Sequence, residues 1–230
     1  LNMSVICFLP CRKGSERVPQ KNIKPFAGHP CGLIEIKINQ LLSSTLITEI
    51  ILSTNDDEII DYAKSIKSKK LRLHKRSETL SSSSTSTDDL VAHALELIPD
   101  SHILWTHVTS PFIVADDYDA IISEYLKSLN NGYDSLMTTS LIHSFLWDET
   151  GPINYNRDIE KWPRTQTLPA IHEVNSAVFL SHSKNFRNFN DRIGKSPLLY
   201  PLNKIKSFDI DWPADFSIGE CIASTGLVKL

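Results

Sequence analysis

Val5-Ile-Cys-Phe-Leu-Pro-Cys-Arg-Lys-Gly-Ser-Glu-Arg-Val-Pro-Gln-Lys-Asn-Ile23 decides how the rest of the chain is read. Its apolar start is a buried strand, and it opens at once into a loop holding Arg12, Lys13, Arg17 and Lys21. Gly14 and Ser15 loosen that loop and Pro19 stiffens it. Cations crowded onto one loop repel each other and gain little from solvent alone. Open α/β sheets bind ligands at the carboxyl ends of their strands, and there the same cluster makes a polyphosphate cradle. A plain solvated loop is the competing reading; the coincidence of glycine, proline and cations just after a strand favours the cradle.

Working outward, apolar runs alternate with helical patterns, which predicts a mainly parallel sheet covered by helices. Ile34, Ile38, Leu41 and Leu42 share a helical face, and Ile50-Ile-Leu-Ser-Thr54 is a strand. Asn55 or Asp56 can cap a helix that turns Ile59, Ile60, Ala63 and Ile66 inward. Leu71 to Leu73 is a short strand, and Thr87 caps a helix burying Leu90, Val91, Ala94, Leu95 and Ile98. His102–Thr106 is a strand, Ala115–Leu129 a helix and Tyr133–Thr139 a strand. The closing pattern is strand over Glu173–Leu180, strand over Lys206–Asp211 and helix over Ala214–Ala223.

The rhythm breaks over 140–172, where Phe145, Trp147, Tyr155 and Trp162 flank a Gly151-Pro152 turn. Aromatics with arginine suit an interface, so this segment reads as an arm packed on a second subunit, with padding of the main core as the competing reading. The 230 residues otherwise form one domain, 1–230. A net charge of −3 argues against a general nucleic-acid binder, so the basic loop is a local site. No apolar run approaches the roughly 20 residues that span a bilayer. No leader is visible, and Leu1-Asn2 reads as a remnant ahead of Met3. Cys7, Cys11, Cys31 and Cys221 lack zinc-ligand spacing, and with no obvious disulfide the expectation is a reducing cytoplasm.

Five constellations could carry chemistry. Besides the basic loop there is Ser207-Phe-Asp-Ile-Asp-Trp-Pro213, where strand alternation places Asp209 and Asp211 on one face. Two such carboxylates repel unless a cation sits between them or one stays protonated. Magnesium is the natural hard cation when a phosphate supplies further oxygens, although these aspartates could also be turn and cap residues. Arg76-Ser-Glu-Thr-Leu80, followed by the hydroxyl run Ser81–Thr87, is either a polar linker or a nucleotide-gripping loop. His107-Val-Thr-Ser-Pro111 leaves another strand end, although a lone histidine is more often structural. Arg164 in the arm could clamp a carboxylate, although on the residues alone a surface arginine is the favoured reading. The absence of Gly-x-Gly-x-x-Gly, of a full Gly-x-x-x-x-Gly-Lys-Ser/Thr phosphate loop (Gly194-Lys195-Ser196 lacks the earlier glycine) and of Gly-x-Ser-x-Gly disfavours nicotinamide enzymes, P-loop NTPases and hydrolases.

Together these segments resemble the sugar-acid cytidylyltransferases, the group that activates sialic, legionaminic, pseudaminic and similar nonulosonic acids. Arg12–Asn22 matches that family's glycine-serine-basic-Pro-x-Lys-Asn signature, and Arg76–Thr87 its arginine and Ser/Thr segment. Thr109-Ser-Pro, Asn175-Ser-Ala and Phe208-Asp-Ile-Asp match three further motifs in the same order, over about residues 5–222. The resemblance implies a three-layer Rossmann-like α/β fold of the nucleotide-diphospho-sugar transferase type, a homodimer, and CTP and a sugar acid as substrates. Arg12, Arg17 and Lys21 would then meet the triphosphate. Cys11, Asn22 and Ser86 would line the nucleotide site near ribose, while Arg76 and the Ser84 backbone read cytosine. Asp209 and Asp211 would hold Mg2+, and His107, Thr109, Arg164 and Asn175 would face the sugar acid, with Arg164 reaching the neighbouring subunit's site.

Two residues depart from the sialic pattern: Glu16 stands where lysine is usual, and His107 where glutamine is usual. Arg17 resembles the arrangement in the related ketodeoxyoctonate enzyme and can take over the phosphate contact. No side chain stands out as a general base. A CTP-binding relative without turnover, acting as sensor or scaffold, and transfer to a different sugar are the alternative readings.

Overall fold

The structure, a computed structural model, describes residues 3–230. Leu1 and Asn2, read above as a remnant, lie outside the described residues. Strand β1 (Val5–Cys11) alternates strictly: Val5, Cys7, Leu9 and Cys11 enter one core, and Phe8 enters a second on the opposite face. A strand buried on both faces belongs at the centre of a helix-covered sheet. β1 does: it pairs in parallel with β2 (Ile47–Thr54) on one side and β4 (His102–Thr106) on the other.

β3 (Leu71–Lys75) extends the sheet beyond β2. On the other flank come β5 (Ser135–Ile142), β8 (Ile171–His182) and β9 (Pro197–Leu202). The order among the described residues is β3-β2-β1-β4-β8-β5-β9, and β8 alone runs antiparallel to its neighbours.

The larger core packs α1 (Gly32–Ser43), α2 (Asp57–Ser65), α4 (Ala115–Ser128) and α6 (Pro213–Ser224) on one face. The other face carries α3 (Thr87–Leu97) and α5 (Ser183–Phe189) over Phe8, Ile51, Trp105 and Phe179. Phe8 and Trp105 meet edge to face, 4.8 Å between centroids, a favourable aromatic geometry. The three-layer, mostly parallel arrangement expected from the sequence is the observed one.

Two local expectations are corrected, and two elements are new. Lys206–Asp211 is not a strand: the Asn203 side chain accepts from the amides of Ile205 and Lys206, so the chain turns there. Lys206 then pairs with Asp117 at 2.7 Å, fixing the turn on α4. Ser86, not Thr87, caps α3, its hydroxyl accepting from the Asp89 amide while Asp89 accepts from the Ser86 amide. β9 and α5 were not anticipated. β9 carries Pro197 and Pro201, which is tolerable because it is an edge strand.

In the 140–172 segment a short hairpin, β6 (Trp147–Asp148) with β7 (Gly151–Pro152), carries an aromatic cluster. Phe145 meets Trp162 edge to face at 5.4 Å, and Arg157 lies 4.9 Å over the Trp162 ring. Trp162 is still 62% exposed and Ile159 85%, so the cluster is not an extension of either core.

Candidate active site

The parallel strands β1 and β4 deliver their loops to one sheet edge, and β8, running the other way, starts there. The loop after β1 is built to be held open. Gly14 takes a φ of +81°, where side-chain-bearing residues are strained. Asn55, at the end of β2, accepts from the Lys13 amide at 2.7 Å, and Asn22 donates back to the Arg12 carbonyl. At the loop's far end Gly32 is so close to the Lys24 carbonyl that any β-carbon would collide. The result is a cleft of about 320 Å³ lined by Cys11, Arg12, Arg17, Lys21, Asn22, His107 and Thr109, among others.

The carboxylate pair arrives from the other end of the chain. The Ile210 amide donates to the Thr109 carbonyl at 2.9 Å, and Ile210 itself is buried in the core. That anchor leaves Asp209 and Asp211 on the cavity side without any strand. Asp211 Oδ1 lies 3.7 Å from Arg17 Nη2 and 3.8 Å from Lys21 Nζ. The amino-terminal cations and the carboxyl-terminal acids therefore share one site. Arg17 also stacks 4.5 Å over Trp212, and Asp215 accepts from the Asp211 and Trp212 amides, locking the turn into α6.

Burial pushes the Asp209 carboxyl upward; the adjacent Asp211 adds to this, while the Thr109 hydroxyl and Lys21 oppose it. Burial also works against the charge of Lys21, which Asp211 and Asp209 partly restore. Beyond the pair lies a second cavity, about 670 Å³, bounded by Ser140, Leu141, Glu173, Asn175, Ser176, Lys204 and Asp211. The aspartates thus stand between the basic cleft and a larger, mixed polar and apolar space.

The other expected site residues divide. Arg76 is buried, its Nε donating to the Ser81 hydroxyl, which in turn donates to the Ser77 carbonyl. Ser84 is exposed and hydrogen-bonded to Ser82. The Ser86 oxygen accepts from the Asp89 amide in the α3 cap, which leaves its hydroxyl hydrogen and one lone pair for another partner. Asn175 accepts from Thr138 and from the Ala177 amide and donates to Ser140, so its amide chiefly shapes the β8 bulge at Ser176. Arg164 sits in the arm, exposed, and lines neither cavity of its own chain. Sequence reasoning gave Asn55 only a capping role and Trp212 none, and it overlooked Lys204 and Asp215, although Asp215, two residues after Pro213, carried a capping signal.

His107 has a defined chemistry. The Trp105 indole N–H can only donate, and it points at His107 Nε2 at 3.2 Å. The neutral ring therefore carries its proton on Nδ1, and its basic nitrogen is occupied. Burial, then Arg192 and Lys21, push its pKa down from 6.5 to about 4. The folded ring binds its proton more weakly than the unfolded chain does, so stability is lost as pH falls from about 6.5 to about 4. His102, pushed down to about 4 chiefly by burial, adds to the same loss. His107→Gln should lower the melting temperature less steeply than wild type between pH 6.5 and 4.5, by a few degrees. An unchanged slope would mean that the ring titrates freely.

A fold of this kind, with a basic loop facing an Asp-x-Asp pair across one sheet edge, defines a nucleotidyl-transfer architecture. The chain belongs to the cytidylyltransferase family, whose model matches residues 6–222. It is 34% identical over 224 residues to a pseudaminic acid cytidylyltransferase of Campylobacter jejuni subsp. jejuni serotype O:23/36, covering 94% of this chain and 95% of that protein. It is 28% identical to the CMP-N,N'-diacetyllegionaminic acid synthase of Legionella pneumophila, with 95% of each covered. In fold it is similar to a CMP:2-keto-3-deoxy-manno-octonic acid synthetase solved with CTP: TM-score 0.67, 14% identity, 97% of this chain and all of that one.

Among the described residues no helix is long and apolar enough to cross a membrane. Nor do any three or more His, Cys, Asp or Glu side chains gather to hold a metal.

Proposed function

We propose that the protein condenses CTP with a nonulosonic acid, giving the CMP-sugar acid and pyrophosphate. The observation that carries this is the meeting of Arg17 and Lys21 with Asp211, at 3.7 and 3.8 Å, in the wall between the two cavities. The basic cleft suits the triphosphate, and the larger cavity suits a sugar acid with both polar and apolar substituents. Attack by the sugar's anomeric hydroxyl on the α-phosphorus drives out pyrophosphate, on which negative charge gathers. Arg12, Arg17 and Lys21 are placed to stabilise that charge more in the transition state than in the ground state. His107 serves as a neutral donor to substrate oxygen, since its acceptor nitrogen is taken by Trp105.

Asp209 and Asp211 fit a magnesium ion. Their oxygens are the hard donors that it prefers, and a cation between them would offset the burial that raises the Asp209 carboxyl and the effect of Asp211 that adds to it. With only two carboxylates present, the ion would complete its shell from phosphate oxygens and water; when bound, it supplies charge neutralisation at the phosphates. The exposed aromatic arm supports a homodimer in which Arg164 faces the partner's sugar site. The test is pyrophosphate release from CTP and magnesium with a panel of sugar acids, run alongside a light-scattering mass. Release with a nonulosonic acid, by a particle of twice the chain mass, is expected. CTP binding without release from any panel member would overturn the catalytic reading, and a monomer the arm's role.

A further inference from the structure

Lys37 lies in the middle of α1 with no solvent exposure. A buried ammonium is expensive unless all three of its donors are matched. They are: Nζ donates to the Ser110 carbonyl at 2.8 Å, the Ile113 carbonyl at 3.3 Å and the Tyr118 hydroxyl at 2.8 Å. None of these acceptors is charged. The nearby carboxylate, Asp117, is already paired with Lys206 at 2.7 Å. An aliphatic residue would fill α1's core face at less cost, so electrostatic pairing does not explain the lysine.

What the ammonium does is join three pieces of the site. The Thr106 hydroxyl donates to the Ala177 carbonyl at 2.8 Å, so the 2.7 Å contact between Tyr118 and Thr106 must have Tyr118 as donor. Lys37 therefore heads a directed chain from α1 through Tyr118 to the end of β4 and on to the β8 bulge. Its other two bonds hold the carbonyls of the loop that begins at Thr109, and Gln40, one turn along α1, holds the Pro111 carbonyl at 2.7 Å. The Thr109 carbonyl is the acceptor for the Ile210 amide, the residue between the two aspartates.

We infer that Lys37 is a positioning residue, its ammonium setting the 109–113 loop and, through Thr109, the height of Asp209 and Asp211 against the basic cleft. The kinetic part of this inference rests on the proposed cytidylyl transfer; the structural part does not. Lys37 touches none of Arg12, Asn22 or Arg76, so it should govern turnover and not CTP affinity.

The test compares wild type with Lys37→Met, which keeps the buried volume and removes the charge, and with Tyr118→Phe, which deletes a single hydroxyl. Hydrogen–deuterium exchange of peptides covering 107–114 and 205–212 should be at least tenfold faster in Lys37→Met, with exchange in β1 and β2 unchanged. kcat should fall at least tenfold while the CTP dissociation constant, by calorimetry, stays within threefold. Tyr118→Phe should show the same pattern at smaller amplitude, and it decides the matter if Lys37→Met does not fold. Wild-type exchange at 205–212, or faster exchange spread through the sheet, would overturn the inference. If wild type itself releases no pyrophosphate, the functional reading fails and the exchange pattern alone decides the role of Lys37.

Discussion

Asp211→Asn should cut pyrophosphate release about 10³-fold while leaving the melting temperature within a few degrees of wild type. The amide keeps the shape, and the Asp211 backbone amide still bonds Asp215. Stability has little at stake: the side chain is 44% exposed and its ion pairs are 3.7 and 3.8 Å long. Pairs of that kind contribute about 1 kcal/mol or less. Catalysis has much more. The substitution removes the anion on which Arg17 and Lys21 converge and one of the two carboxylates proposed to hold the divalent ion. Losing a single well-placed electrostatic contact typically costs 10²–10³ in kcat, and here one oxygen serves both roles. Steady-state pyrophosphate release and differential scanning calorimetry check the two halves. Wild-type-like turnover would remove the aspartate pair from the reaction.

Lys21→Met should lower kcat by about 10²-fold, whereas Arg17→Ala should cost about tenfold. Both cations face the same oxygen of Asp211, so exposure decides between them. The Lys21 side chain is 13% exposed and that of Arg17 47%. Charge–charge interactions strengthen as water is excluded, so on the proposed reaction the desolvated ammonium should stabilise a departing pyrophosphate more than the solvated guanidinium. Burial works against the charge of Lys21, so the methionine variant should melt no lower than wild type. Lys21→Arg should not restore full activity, because a planar fork does not replace a compact ammonium in a tight cleft. Equal losses for Lys21→Met and Arg17→Ala would show that the two cations act as one diffuse patch.

Much of this was legible in the chain because β1 and its loop combine two strong signals. Alternation buried on both faces specifies a central strand, and glycine, proline and cations after it specify a loop that approaches a ligand. The Asp-x-Asp reading put the two aspartates on one side of the chain, as observed, but by the wrong structure. Period-two alternation predicted a strand at Lys206–Asp211, but what turns the side chains is Ile210, anchored by its buried side chain and one amide bond to Thr109. That bond joins residues a hundred positions apart, and no local pattern encodes it. β9 was hidden by its prolines, which argue against a strand everywhere except at an edge. Ser86 and Thr87 are equivalent as caps by composition; only the reciprocal bond from Asp89 separates them. Lys37 was invisible for a different reason. In a helical wheel it interrupts an apolar face, and only tertiary structure reveals three carbonyl and hydroxyl acceptors waiting for it.

The prolines of β9 carry one more implication. A border strand offers its amides alternately to its neighbour and to the outside, and a proline cannot fill a ladder position that needs a donor. Pro197 and Pro201 therefore occupy the outward-facing set, leaving Leu199 as the sole donor between them on that margin. At the opposite border β3 carries Arg72, paired with Glu49 at 2.9 Å, and Lys75, 3.8 Å from Asp57, charged side chains of the kind that discourage edge pairing. Proline on one rim and charge on the other both disfavour an added strand, so the seven-stranded sheet is a poor template for edge-to-edge growth.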